Sequence, residues 1–123
     1  MRFMKRDFCA ILKLGQLLIA ESDNSQSVEA ARKLIYGLAR FVSEDQIESV
    51  MLIAQHLDMQ SSAAALSTLG EEEATWAKEL LYDVATTNGP MNESQEHIWQ
   101  HITDATEKRS FDFELYLKHL YIH

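Results

Sequence analysis

The sequence predicts an all-α protein, a compact bundle of six to seven helices forming a single domain over residues 1–123. Three observations predict it. Apolar residues recur at helical spacing in successive segments, and no run alternates convincingly as a half-buried strand would. One proline and four glycines leave no long linker or low-complexity stretch. The polar segments between the apolar stripes carry cap residues at helix-start spacing, as in Ser43 with Gln46 and Asn92 with Gln95.

The first helix is expected from about Lys5 to Ser22, with Phe8, Ile11, Leu12, Gly15, Leu18 and Ile19 on one stripe. Arg2, Lys5 and Arg6 ahead of an apolar run give this segment the outline of a signal peptide. Lys13 and Gln16 interrupt the run, so it reads as an amphipathic core helix. Asp23 to Ser27 form a turn. The second helix carries Val28, Ala31, Ile35, Leu38 and Val42 on one face, with Leu34 and Phe41 beside them. Ser43 caps a third helix bearing Ile47, Val50, Met51, Ala54 and Leu57, which Asp58, Met59 and Gln60 break.

Ser61 or Ser62 caps a short fourth helix with Ala65, Leu66 and Leu69. After Gly70, the run Glu71, Glu72 and Glu73 suits the positive end of a fifth helix dipole. That helix buries Ala74, Ala77, Leu80, Leu81 and Val84, with Trp76 at its edge. It ends at Asn88-Gly89, with Gly89 as its C′ residue and Pro90 beyond. Asn92 opens a sixth helix whose core side is Met91, Ile98, Ile102 and Ala105. A final segment from Phe111 to Ile122 is apolar on more than one side and suits deep packing or a partner surface.

Net charge is −8, and it is unevenly spread. Residues 1–40 hold seven Lys/Arg against four Asp/Glu, whereas residues 41–107 hold one against thirteen. An acidic middle of this size argues against nucleic acid and suits cations or a basic partner. No apolar stretch is long enough to span a bilayer, so membrane insertion is not expected. The single cysteine, Cys9, sits among apolar neighbours and reads as an inert thiol in a reducing, cytoplasmic setting.

The two halves of the chain look alike in outline. Leu17 to Asn24 precedes Ser25 to Glu29, and Leu80 to Gly89 precedes Pro90 to Gln95. Each is an apolar helix end, a polar turn, and a new helix with an acidic first turn. The pattern suggests two pseudo-repeated helical hairpins. On these residues the stretch from Leu17 to Thr106 resembles the TerB-like family, the tellurite-resistance-associated helical domain. The family turn is Ala-Asp-Gly, followed by a glutamate opening the next helix. Asn88 and Gly89 stand at the Asp-Gly positions, with Gln95 or Glu96 where the glutamate belongs. In the first half Asp23 and Asn24 take those places, with Glu29 near the glutamate position.

The resemblance implies a bacterial stress or envelope-associated role and cation binding at the turns. The chain departs from the family by carrying amides at Asn88, Asn92 and Gln95, and an amide is a weaker ligand for a hard cation than a carboxylate. Candidate ligands for a divalent cation are Asp23, Glu29, Asn88, Asn92, Glu93 and Glu96. Helix capping is the first reading of the amides among them. His97 and His101, four apart and flanked by Glu93 and Asp104, are a separate option for zinc or a similar metal. His119 and His123 share that spacing at the chain end.

No phosphate loop, nucleophile elbow or dinucleotide fingerprint occurs, so an enzyme is not expected and no cofactor is required. The expected function is a non-catalytic interaction module that presents an acidic surface, together with the aromatic tail, to a protein partner. The alternative is a cation-binding or cation-sensing domain.

Overall fold

A computed structural model describes residues 1–122, with side chains described for residues 1–107. Six helices follow in chain order: α1 (Lys5–Ala20), α2 (Val28–Ala39), α3 (Glu44–Ala54), α4 (Met59–Leu66), α5 (Glu71–Ala85) and α6 (Glu93–Ile122). Among the described residues there is no strand. The all-α bundle stands as expected.

α1 is the central helix and touches each of the other five. Its Ala10, Ile11, Leu14 and Leu18 are wholly inaccessible, and Phe8, Cys9 and Leu12 are buried with them. A helix enclosed on most sides must be apolar on most sides. That burial accounts for the signal-peptide-like run at the start of the chain. Each fully buried Leu or Ile contributes about 1.5–3 kcal/mol. Gly15 permits close approach of α2, since a Cβ there would lie 2.6 Å from both methyl carbons of Leu34.

α2 and α5 pack on α1 and on each other, and α4 and α6 close another side of the bundle. The C-terminal ends of α1 and α5 meet at the start of α6. At the other end of α1, four aromatic rings gather: Phe3, Phe8, Phe41 and Trp76.

Several local expectations are corrected. α2 buries Ala30, Leu34 and Leu38, while Val28 is 68% exposed and Ala31 is also exposed. Its inward face is therefore rotated from the predicted stripe, and Ala30, Leu34 and Leu38 meet α1 and α5, while the Ser27 hydroxyl caps the first turn by accepting from Ala30 N. Met51 is exposed on α3, where Val50 and Ala54 point inward. Ser43 stands at the N-cap of α3, but its side chain makes no cap bond and its carbonyl accepts from Gln46 N instead. Asp58, not Ser61 or Ser62, caps α4. A carboxylate is the stronger acceptor there, and Ser61 completes the reciprocal box.

α5 ends at Ala85, ahead of Asn88-Gly89, where Thr87 N and Gly89 N turn to the carbonyls three residues back, Val84 O and Thr86 O, and the hydroxyls of Thr86 and Thr87 fold onto those of Tyr82 and Asp83. Gly89 lies within the turn at φ +126°, a conformation that favours glycine. The predicted sixth helix and the final segment from Phe111 are one helix, α6. Residues 106–110 contain neither glycine nor proline to end it. The side chains of Phe111 to Ile122, including His119, lie outside the described side chains, and His123 lies outside the described residues.

Candidate functional site

The two polar turns converge. At the first, α1 runs out where Glu21, Ser22, Asp23 and Asn24 succeed its apolar residues. Ser22 N donates to Ile19 O at 3.1 Å and its hydroxyl donates to the same carbonyl at 2.7 Å. At the second, Gly89 N donates to Thr86 O at 3.2 Å. Both arrangements leave a late carbonyl of the finished helix without its usual backbone donor: Leu18 O in α1 and Ala85 O in α5.

Gln95 satisfies both. Its Nε2 donates to Leu18 O at 3.0 Å and to Ala85 O at 3.1 Å. Its Oε1 accepts from Asn92 N at 3.0 Å, and Gln95 N donates to Asn92 Oδ1 at 2.8 Å. One side chain, 3% exposed, thus closes the C-termini of two helices and the N-terminus of a third. Asn92 adds the outer bonds, its Nδ2 donating to Glu21 O at 2.7 Å and to Asp23 Oδ1 at 3.3 Å. The capping box was legible in the sequence. The reach of its two amide groups across the molecule was not, because an amide at N3 reads as a local cap whatever lies beyond it.

This polarity bears on cation chemistry. The oxygens of Asn92 and Gln95 accept from backbone N–H groups, and their nitrogens face the first turn. Beside them is a cleft of about 240 Å³ lined by Ser22, Asp23, Asn24, Asn88 and Gln95 among others. Among the described residues that line it, Asp23 is the one carboxylate. Hard cations such as calcium take about six to eight oxygens, commonly with several carboxylates. Glu29 is exposed on the first turn of α2 and does not line the cleft. The structure thus brings Asp23 and Asn88 to one cleft, with Asn92 hydrogen-bonded to Asp23, and leaves Glu29 outside the cleft lining.

The remaining candidates fall elsewhere. Glu93 and His97 line a groove of about 550 Å³ with Glu21, Leu17, Met59 and Ile98. Glu96 is exposed on α6. The His97 and His101 rings stand edge to face with centroids 5.0 Å apart. Among the described residues, no group of three or more His, Cys, Asp or Glu is arranged to hold a metal ion.

Cys9 is buried, and desolvation pushes its thiol up against the opposing charge of Lys5, so it stays protonated at neutral pH. Asp7, which sequence inspection passed over, is 4% exposed. One carboxylate oxygen accepts from Met4 N at 2.6 Å, while Oδ1 has no hydrogen-bond partner and lies 3.9 Å from Arg6 Nε. A second groove, about 540 Å³, is lined by Trp76 with Glu71, Glu72 and Glu79.

Comparison with protein-family models, with curated proteins and with solved structures returns no match. Among the described residues no helix is long and apolar enough to cross a membrane.

Proposed function

We propose that this chain is a TerB-like, non-catalytic interaction module that presents an acidic helical surface to a basic protein partner. One observation carries the reading. The amide side chains of Asn92 and Gln95 at the converging turns are engaged in holding helices together, whereas the carboxylates that face open grooves stand beside apolar side chains. Glu71, Glu72 and Glu79 flank Trp76, and Glu21 and Glu93 flank Leu17 and Met59. Carboxylates around an apolar floor favour a partner that brings cations and buries apolar surface. A bacterial stress or envelope-associated response and a cytoplasmic setting belong to the same proposal, through the family resemblance.

The test is partner capture by the full chain. Reversing charge at Glu21, Glu71, Glu72, Glu79 and Glu93 together is expected to abolish capture at physiological ionic strength. Capture that survives all five reversals would sink the reading.

A second reading, cation binding, is favoured by the cleft beside Asp23, Asn24 and Asn88. A cation at 100 times its dissociation constant would stabilise the fold by about 2.7 kcal/mol. Melting the chelator-treated protein with calcium, magnesium, manganese or zinc reads this directly. A rise that disappears in Asp23→Ala supports the site, and no rise with any of the four removes it.

A further inference from the structure

The groove between α1, α4 and α6 has a definite chemical form. Its floor is apolar, made by Leu17, Met59 and the buried Ile98. Its rim carries Glu21 and Glu93, with His97 beside Glu93. Asn92 Nδ2 donates to Glu21 O at 2.7 Å, which ties the backbone of one rim residue to the immediate neighbour of the other. The two carboxylates are therefore carried on segments joined by a hydrogen bond. Among the described residues neither is in an ion pair. Asp58, exposed at the cap of α4, adds a third anion next to Met59.

We infer that this groove is the docking site for a basic peptide segment of a protein partner, one apolar side chain seated on Leu17, Met59 and Ile98 and Lys or Arg residues on either side meeting Glu21 and Glu93. The inference rests on the interaction-module reading and narrows it to one face. Charge complementarity selects the occupant. Anionic surfaces and nucleic acids are repelled by the rim, and an uncharged apolar segment would desolvate two carboxylates without replacing their water. A cationic flank relieves both penalties. Met59 suits the floor because an unbranched thioether adapts to different apolar side chains. The cavity, about 550 Å³, is of the size that accepts a large side chain with its neighbouring backbone.

The experiment titrates ¹⁵N-labelled full-length protein with a synthetic peptide carrying one Leu between two pairs of Lys in a Ser/Gly background. Expected are saturable shifts at the amides of Leu17, Glu21, Met59, Glu93 and His97. Glu21→Lys with Glu93→Lys is expected to weaken binding at least about tenfold, since each loses an opposite charge and gains a like one. Replacing the peptide Leu by Ser is expected to cost about tenfold or more, the equivalent of one buried Leu. Glu44→Lys with Glu48→Lys, exposed on α3 and lining neither groove, should leave the affinity unchanged. All these glutamates are exposed or on an open rim, and the spectrum of each variant reports whether the fold is intact.

Saturable shifts confined to the Trp76 face overturn this assignment and leave the broader acidic-surface reading standing. Equal binding of a peptide with Glu in place of Lys overturns it as well. So does the absence of saturable shifts anywhere, in which case the five-fold charge reversal under partner capture decides the broader reading on its own.

Discussion

At one end of α1, two amide side chains join the helices through four hydrogen bonds; at the other, aromatic rings pack together, with exposed hydrogen bonds from Arg2, Lys5 and Arg6 around them. Asn92 and Gln95 make the first closure, to Glu21 O, Asp23 Oδ1, Leu18 O and Ala85 O. Phe3, Phe8, Phe41 and Trp76 make the second, with centroids between 5.0 and 6.4 Å apart. The first closure is directional. It needs a donor at each of two defined points, and one atom exchanged for another of equal size defeats it. The second depends on apolar area and tolerates any ring of similar volume. A helical bundle can thus be sealed in two ways that respond oppositely to conservative change. The pseudo-repeat is also unequal in chemistry: the first turn supplies acceptors and the second supplies donors. Amides at Asn92 and Gln95 are therefore what the structure requires there, since a carboxylate cannot donate to a carbonyl at neutral pH.

The sharpest way to break this contrast is Gln95→Glu. The change keeps shape but sets a carboxylate against Leu18 O and Ala85 O in a site that is 3% exposed. The expected loss is about 3–5 kcal/mol, read as a fall in the urea midpoint. A loss under about 1 kcal/mol would show that water replaces the amide and that the closure is not directional.

A middle-sized effect is expected at the aromatic end. Trp76 is half-buried against Phe3 and Phe41, so Trp76→Ala should cost about 2–3 kcal/mol, below the value for a fully enclosed ring. Trp76→Phe should cost less than about 1.5 kcal/mol. If both substitutions cost the same, the cluster depends on the indole specifically, and the contrast with the amide end fails.

The smallest effect sharpens the scale with an exposed cap. Asp58 accepts from Ser61 N at 2.7 Å, and that bond, with the one to the Ser61 hydroxyl, holds its carboxyl below the usual carboxylate range. A depressed folded pKa means that the cap stabilises above the unfolded pKa and that its contribution fades as pH falls through the folded one. Asp58→Ala should therefore destabilise modestly at neutral pH, and the difference from the parent should close in strong acid. Thermal melts between neutral and strongly acidic pH measure it. A gap that widens on acidification would contradict the assigned role.

Much of this was written locally. Apolar spacing marked each helix, Gly89 marked the turn, and Asn92 with Gln95 marked the start of α6. All of these signals act within about four residues, the range over which a helix bonds to itself. The same range explains the errors. Whether Val28 or Ala30 points inward depends on how α2 packs against α1 and α5, which lie beyond that range in the chain. The candidate ligands were chosen by residue type at matching places in a repeat. Only the packed bundle put Asp23 and Asn88 on one cleft without Glu29, and only it placed Glu93 in a groove with Glu21.

The sequence by itself determined that the chain is helical, roughly where its first five helices lie, and that its negative charge is concentrated between residues 41 and 107. Tertiary structure alone decided that the two polar turns meet, that a single buried glutamine closes three helix ends, and that two glutamates share an apolar groove. The physical reason is separation along the chain. Gln95 bonds to a carbonyl 77 residues away and Asn92 to one 71 residues away. No local propensity encodes such a partner; the apolar burial that sets α1 at the centre of the bundle brings it within reach.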